Sequence, residues 1–149
     1  MALNQAFLNR SYPSPSTYLI EREKIQEFAA AIKDTNPISH DLEFAKQNGY
    51  ADLVAPPTFL ISIQMSAMEV ALFDPELGLD YSKVVHGEQS FEYLRPVLAG
   101  DELSFISIIE DIKSKVGNDF IAIRSEVKDK NNDLVAILKA TLIARGTAV

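Results

Sequence analysis

The chain has 149 residues, one domain's worth, long enough to bury about two thirds of its unfolded surface around a single core. Apolar residues make up 47% and charged residues 23%, the balance of a folded globular protein and not of a disordered one. The net charge is −7 with no basic block, which argues against nucleic acid and membrane surfaces as partners.

The chain contains no cysteine, which removes disulfides, thiolate nucleophiles and thiolate metal sites together. Its two histidines, His40 and His86, are too few for a histidine-rich metal centre, so no metal is expected. Residues 1–18 lack a basic start followed by an apolar run and are broken by Pro13 and Pro15, so no targeting segment is read there and the expected compartment is the cytoplasm.

A short strand is expected near residues 18–20. From Glu21 onward Ile25, Phe28, Ala29 and Ile32 recur at i, i+3, i+4 and i+7, the apolar stripe of an amphipathic helix. The turn chemistry of Asp34-Thr35-Asn36 and then Pro37 end it. Asp41 caps a short helix through Phe44 and Ala45, and Gly49 stops it. Residues 58–72 read as a helix that is apolar nearly all round and must be covered on most sides. Glu69 and Gln64 deep inside it, with Pro56-Pro57 before it, make it a soluble core helix; a mid-membrane carboxylate alone costs about 2.5–3.5 kcal/mol.

After a loop at Asp74-Pro75 and Gly78 the signals are almost wholly β. Residues 84–94 alternate, with Phe91 and Tyr93 on one side and Glu92 on the other. Residues 102–115, 120–128 and 134–145 follow, separated by the Gly117-Asn118 turn and the Asn131-Asn132-Asp133 cluster. Short turns imply antiparallel neighbours. The expected architecture is α+β: one domain over 1–149, with a curled antiparallel sheet of five or six strands wrapped round one long central helix.

One segment carries a resemblance. Asp34-Thr35-Asn36-Pro37-Ile38-Ser39-His40-Asp41, then Ala45, Gly49-Tyr50 and Ala55-Pro56-Pro57-Thr58-Phe59, resembles the hydratase signature of the MaoC-like, hotdog-fold family. Residues 18–25 and 86–96, and Ala99-Gly100-Asp101, are similar to its N-terminal MaoC-like (FAS1-like dehydratase) subgroup, which includes the acyl-binding subunit of heterodimeric 3-hydroxyacyl-carrier-protein dehydratases. The resemblance implies a hydro-lyase acting on enoyl or (R)-3-hydroxyacyl thioesters of coenzyme A or an acyl carrier protein in fatty-acid metabolism. It implies no cofactor, and a dimer with a second hotdog subunit, like or unlike. The free strand edge of one curled sheet also favours a dimer.

The chemistry needs a carboxylate and an imidazole converging on one water, and an N–H donor on the thioester oxygen. The resemblance carries Asp34 and Asn36 over as catalytic residues. The family's histidine stands five residues after the Asp, where this chain has Ser39; His40 comes one later. In a helical turn one residue is about 100° of rotation, enough to aim His40 elsewhere, whereas a loop lets it swing back. Serine is a poor base at neutral pH, so Ser39 cannot replace the imidazole. Where active relatives open the central helix with His-Gly, this chain has Ala55-Pro56. Proline has no N–H, so an oxyanion donor must come from a later amide such as that of Thr58.

His40 is thus a candidate catalytic residue, and Ser39, Ala55, Pro56, Pro57, Thr58, Phe59 and His86 are candidate substrate-binding residues. Plainer readings stand beside these. Asp34 and Asn36 also make a turn and cap, His40 also suits the start of a helix, and His86 a half-buried strand position. The expected function is an acyl-binding subunit with an impaired Asp/His site. A self-sufficient hydratase or dehydratase, a hotdog thioesterase and a regulatory hotdog without turnover are the alternatives.

Overall fold

The computed structural model describes residues 3–148 of the chain; Met1, Ala2 and Val149 lie outside that range. In chain order it carries strands β1 (Ser11–Pro13) and β2 (Tyr18–Leu19), helices α1 (Arg22–Ala31), α2 (Leu42–Gln47) and α3 (Ile61–Leu72), and strands β3 (Val84–Tyr93), β4 (Glu102–Lys115), β5 (Asn118–Lys128) and β6 (Leu134–Ala144). The strands form one six-stranded sheet, in the order β1-β4-β5-β6-β3 with β2 also on β4, and every pairing is antiparallel. The α+β architecture is the one expected.

The period-two pattern decides which face is buried. In β5 the side chains of Asp119, Ile121, Ile123, Ser125 and Val127 are buried and those between them are half-buried. In β4 the inward series Leu103, Phe105, Ser107, Ile109 switches phase at a bulge between Ile109 and Asp111, which brings Ile112 inward. The β4–β5 hairpin turns at Val116-Gly117, one residue earlier than expected, with φ of 52° and 77°. Both central residues of such a turn need positive φ. Val116 accepts that strain with its side chain 87% exposed.

Three expectations, about connection, helix start and cover, need correction. β3 does not pair with β4; it pairs with β6, and residues 94–101 carry the chain across to the far side of the sheet. The central helix begins at Ile61 and not at residue 58. The Pro57 carbonyl accepts the Tyr93 hydroxyl at 2.5 Å, and the Ile61 N–H turns to Thr58 O at 3.1 Å, so the entry is a tighter turn. Nor is α3 covered on most sides. Gln64, Ala67, Met68, Ala71 and Leu72 are buried, whereas Ser62, Ser66, Glu69 and Val70 are exposed. β1 was not foreseen, because its three residues end in Pro13, which is compatible only with a sheet edge.

The core divides in two. One cluster gathers Phe59, Leu60, Phe105, Val127 and Leu138; the other gathers Phe7, Met68, Ile109, Ile121 and Ile123. On three elements a buried polar residue marks the boundary: Gln64 between Leu60 and Met68, Ser107 between Phe105 and Ile109, Ser125 between Val127 and Ile123. Gln64 Nε2 donates to Ser125 Oγ at 3.2 Å, the two serine hydroxyls lie 3.1 Å apart, and Gln89 Nε2 donates to Gln64 Oε1 at 2.8 Å. Among the described residues no helix is long and apolar enough to cross a membrane.

Candidate thioester site

The segment between α1 and α3 is irregular, and short-range hydrogen bonds shape it. Lys33, at φ 59°, reverses the chain at the end of α1, and the Asp34 N–H closes onto Ala29 O at 2.8 Å. The half-buried Asp34 accepts the Asn36 N–H on its carboxylate at 2.9 Å, and Asn36 Oδ1 accepts the Ile38 N–H at 3.3 Å. Asn36 thereby caps a single 3-10 turn, Pro37–Ser39.

Ser39 points inward. It is 2% exposed, and its hydroxyl donates to Val54 O at 2.6 Å, beside a main-chain bond from the Val54 N–H to Ile38 O. His40 does swing back toward Asp34, but its Nε2–H donates to the Asp34 main-chain oxygen at 2.7 Å and not to the carboxylate. Gln26 Nε2 donates to the His40 carbonyl at 3.3 Å, and Asp41 caps α2 through the Phe44 N–H.

The second half of the site rests on the connection after β3. Ala55 N–H donates to Val97 O, and Val54 bridges Leu98. Ala55, Pro56 and Phe59 are buried, Pro57 and Thr58 exposed. The Arg22 guanidinium donates to both Asp52 oxygens at 2.9 and 2.8 Å, which ties the start of α1 to this segment and holds the Asp52 carboxyl below its usual range. Burial pushes the Tyr93 phenol up to about 12.

Two cavities flank the entry to α3. The larger, about 610 Å³, runs between β2, α1 and the exposed face of α3, and its walls include Tyr18, Ile20, Phe28, Phe59, Ser62 and Ile63. The smaller, about 380 Å³, is lined by Ala55, Pro57, Tyr93, Leu94 and Val97 among others. Bonds at Val54 therefore tie Ser39 to the Ala55–Phe59 stretch, while Asp34, Asn36, Ser39 and His40 line neither cavity. His86 is not part of this region. It is exposed on β3 at a bulge, its Nε2–H donating to Glu88 O at 3.0 Å, and it lines neither cavity. Among the described residues no cluster of three potential metal ligands forms.

Sequence reasoning missed Tyr18, Phe28 and Tyr93 as site residues. An aromatic side chain at a core-facing position carries no functional signal until the tertiary fold shows what it abuts.

A family profile described as FAS1-like, dehydratase domain region, matches residues 6–138. The chain belongs to this family of MaoC-like hotdog dehydratases. It is 49% identical to a UPF0336 protein of Saccharopolyspora erythraea over 99% of this chain and 95% of that one. A UPF0336 protein of Streptomyces avermitilis is 52% identical, over 97% of each chain. Among solved structures, a MaoC-like dehydratase superposes with a TM-score of 0.88 at 29% identity, covering 95% of this chain and 43% of that longer one. The C-terminally truncated HadBC (3R-hydroxyacyl-ACP dehydratase) complex of Mycobacterium tuberculosis superposes with a TM-score of 0.82 at 29% identity, covering 92% of this chain and 96% of that chain.

Proposed function

We propose that this member of the dehydratase family is the acyl-binding subunit of a two-subunit 3-hydroxyacyl-thioester dehydratase, working in the cytoplasm on coenzyme A or carrier-protein thioesters. One observation carries the reading: where the family's histidine stands, Ser39 is buried and committed to Val54 O, while His40 spends its Nε2–H on a main-chain carbonyl. An imidazole held that way has only Nδ1 left to exchange a proton, and no hydrogen bond among the described residues links it to the Asp34 carboxylate, which accepts the Asn36 N–H instead. The groove of about 610 Å³ along α3 is large enough for an acyl chain, with Phe28, Phe59 and Ile63 as apolar walls.

The partner's place is the outer edge of β3, a ten-residue strand paired on one side only. Its outward series Glu88, Ser90, Glu92 is exposed and holds no ion pair among the described residues. A symmetric antiparallel pairing of β3 with its own copy puts residues of like face opposite each other. Every register centred on residues 88–93 then sets carboxylates of Glu88 or Glu92 directly opposite or diagonal, which is destabilising. An unlike hotdog subunit with cations on its edge strand fits better, as the two-subunit HadBC neighbour also suggests.

Calorimetric titration of the purified chain with trans-2-octenoyl-coenzyme A tests the reading. Micromolar binding is expected, weakened more than tenfold by Ser66→Phe, which fills the groove. No binding, or binding indifferent to that substitution, contradicts it.

A further inference from the structure

We infer that Tyr93 is a positioning residue for thioester recognition: by holding the Pro57 carbonyl it presents the Thr58 N–H as a fixed donor to the thioester oxygen. The inference rests on the acyl-binding reading above and adds to it the group that distinguishes a thioester from a plain apolar chain.

A trans peptide is planar, with its C=O and N–H pointing in opposite directions. The described residues contain no cis peptide bond, so fixing the direction of Pro57 C=O fixes the direction of Thr58 N–H. The Tyr93 hydroxyl does the first at 2.5 Å, from β3, 36 residues away in sequence. The Thr58 N–H has no hydrogen-bond partner among the described residues, although its neighbour Phe59 donates to Pro56 O at 2.9 Å and Ile61 to Thr58 O. Thr58 itself is exposed.

The surroundings suit this role. Pro56 and Pro57 have no N–H to offer, so Thr58 is the first amide of the entry turn able to donate. The adjoining residues face the two cavities, Pro57 and Tyr93 the smaller and Phe59 the larger. Burial pushes the phenol up to about 12, which favours the protonated hydroxyl that donates to the Pro57 carbonyl. A donor held in advance recognises a carbonyl oxygen without reorganising, and that is what a backbone N–H at such a site contributes.

The test compares two probes on the full chain: the S-octenoyl thioester of pantetheine, and the matched thioether with CH2 in place of the carbonyl. The wild-type chain is expected to prefer the thioester by about tenfold, one hydrogen bond's worth. Tyr93→Phe, which keeps the ring and removes only the hydroxyl, should bring that preference below about threefold while leaving thioether affinity unchanged. Unchanged thioether affinity also shows that the variant is folded. The carbonyl stretch of a 13C-labelled thioester should shift to lower frequency on the wild-type chain and return toward its free value on Tyr93→Phe. If the variant keeps the full preference and shift, or the wild-type chain shows no preference, the inference is overturned while acyl binding stands. If the wild-type chain binds neither probe, the acyl-binding reading itself fails, and this inference with it.

Discussion

His40 directs its Nε2–H at the main-chain oxygen of Asp34, 2.7 Å away, and among the described residues no hydrogen bond or ion pair joins the imidazole to the Asp34 carboxylate. The two groups that acid–base chemistry needs are neighbours without being partners. Ser39, one residue earlier, does not bridge them either, because its side chain turns into the protein and donates to Val54 O at 2.6 Å.

Ser39 is a structural residue by this account. Ser39→Ala leaves Val54 O short of a donor in a buried setting and should cost about 1–2 kcal/mol in urea unfolding. Ser39→His must place an imidazole at a site 2% exposed. Overpacking of that kind costs about 1–3 kcal/mol, so the variant should melt lower and gain no hydratase activity of its own.

The buried polar chain under α3 gives a second prediction. Gln64→Leu leaves the Gln89 amide with only Ser90 O, at 3.3 Å, and empties one bonding site on Ser125, and should destabilise the chain by about 1–3 kcal/mol. Adding Ser125→Ala should cost less than it does in the wild-type background, because Ser125 has already lost a partner. A double-mutant cycle by chemical denaturation measures the difference.

Much of the fold was legible because the C-terminal half alternates cleanly: Phe105, Ile123 and Leu138 all fall on the inward phase. The short strand β1 escaped notice because three residues ending in Pro13 carry no periodicity. The position of β3 beside β6 was hidden because adjacency in sequence is the better guess whenever a connection is short. At the site, the local turn made by Asp34 and Asn36 could be read from spacing, since those bonds span two residues. The bonds Ser39–Val54 and Tyr93–Pro57 could not, because they join segments 15 and 36 residues apart and no pattern announces them.

Acid should loosen the tie between α1 and the site segment. Asp52 titrates below its ordinary value of 3.8, first through its hydrogen bond from Arg22. A carboxyl whose folded pKa is depressed adds stability that is present above the unfolded pKa and is lost as pH falls through the folded one. Urea midpoints taken from about pH 5 down to pH 2 should fall more steeply for the wild-type chain than for Arg22→Leu, which lacks the pair.

The β3 edge gives a prediction about association. Glu88→Gln with Glu92→Gln removes the carboxylates that symmetric pairing brings together, so self-association of the isolated chain should tighten by about 3–10-fold in sedimentation equilibrium. Glu88→Lys with Glu92→Lys should instead weaken pairing with an unlike subunit that carries edge cations. An association constant that ignores both changes contradicts the account of this edge.

The central claim is that this chain binds acyl thioesters but does not by itself add water to them. The most direct measurement is the loss of enoyl absorbance when trans-2-octenoyl-coenzyme A is mixed with the purified chain alone, in wild-type and His40→Ala forms. General acid–base help is worth about 10²–10⁴-fold, so a chain without a competent imidazole should show turnover lower by that order than the same chain supplemented with a hotdog subunit bearing an intact Asp and His. His40→Ala should leave the low rate unchanged. Brisk turnover by the wild-type chain alone, abolished by His40→Ala, would make His40 the working base and contradict the account.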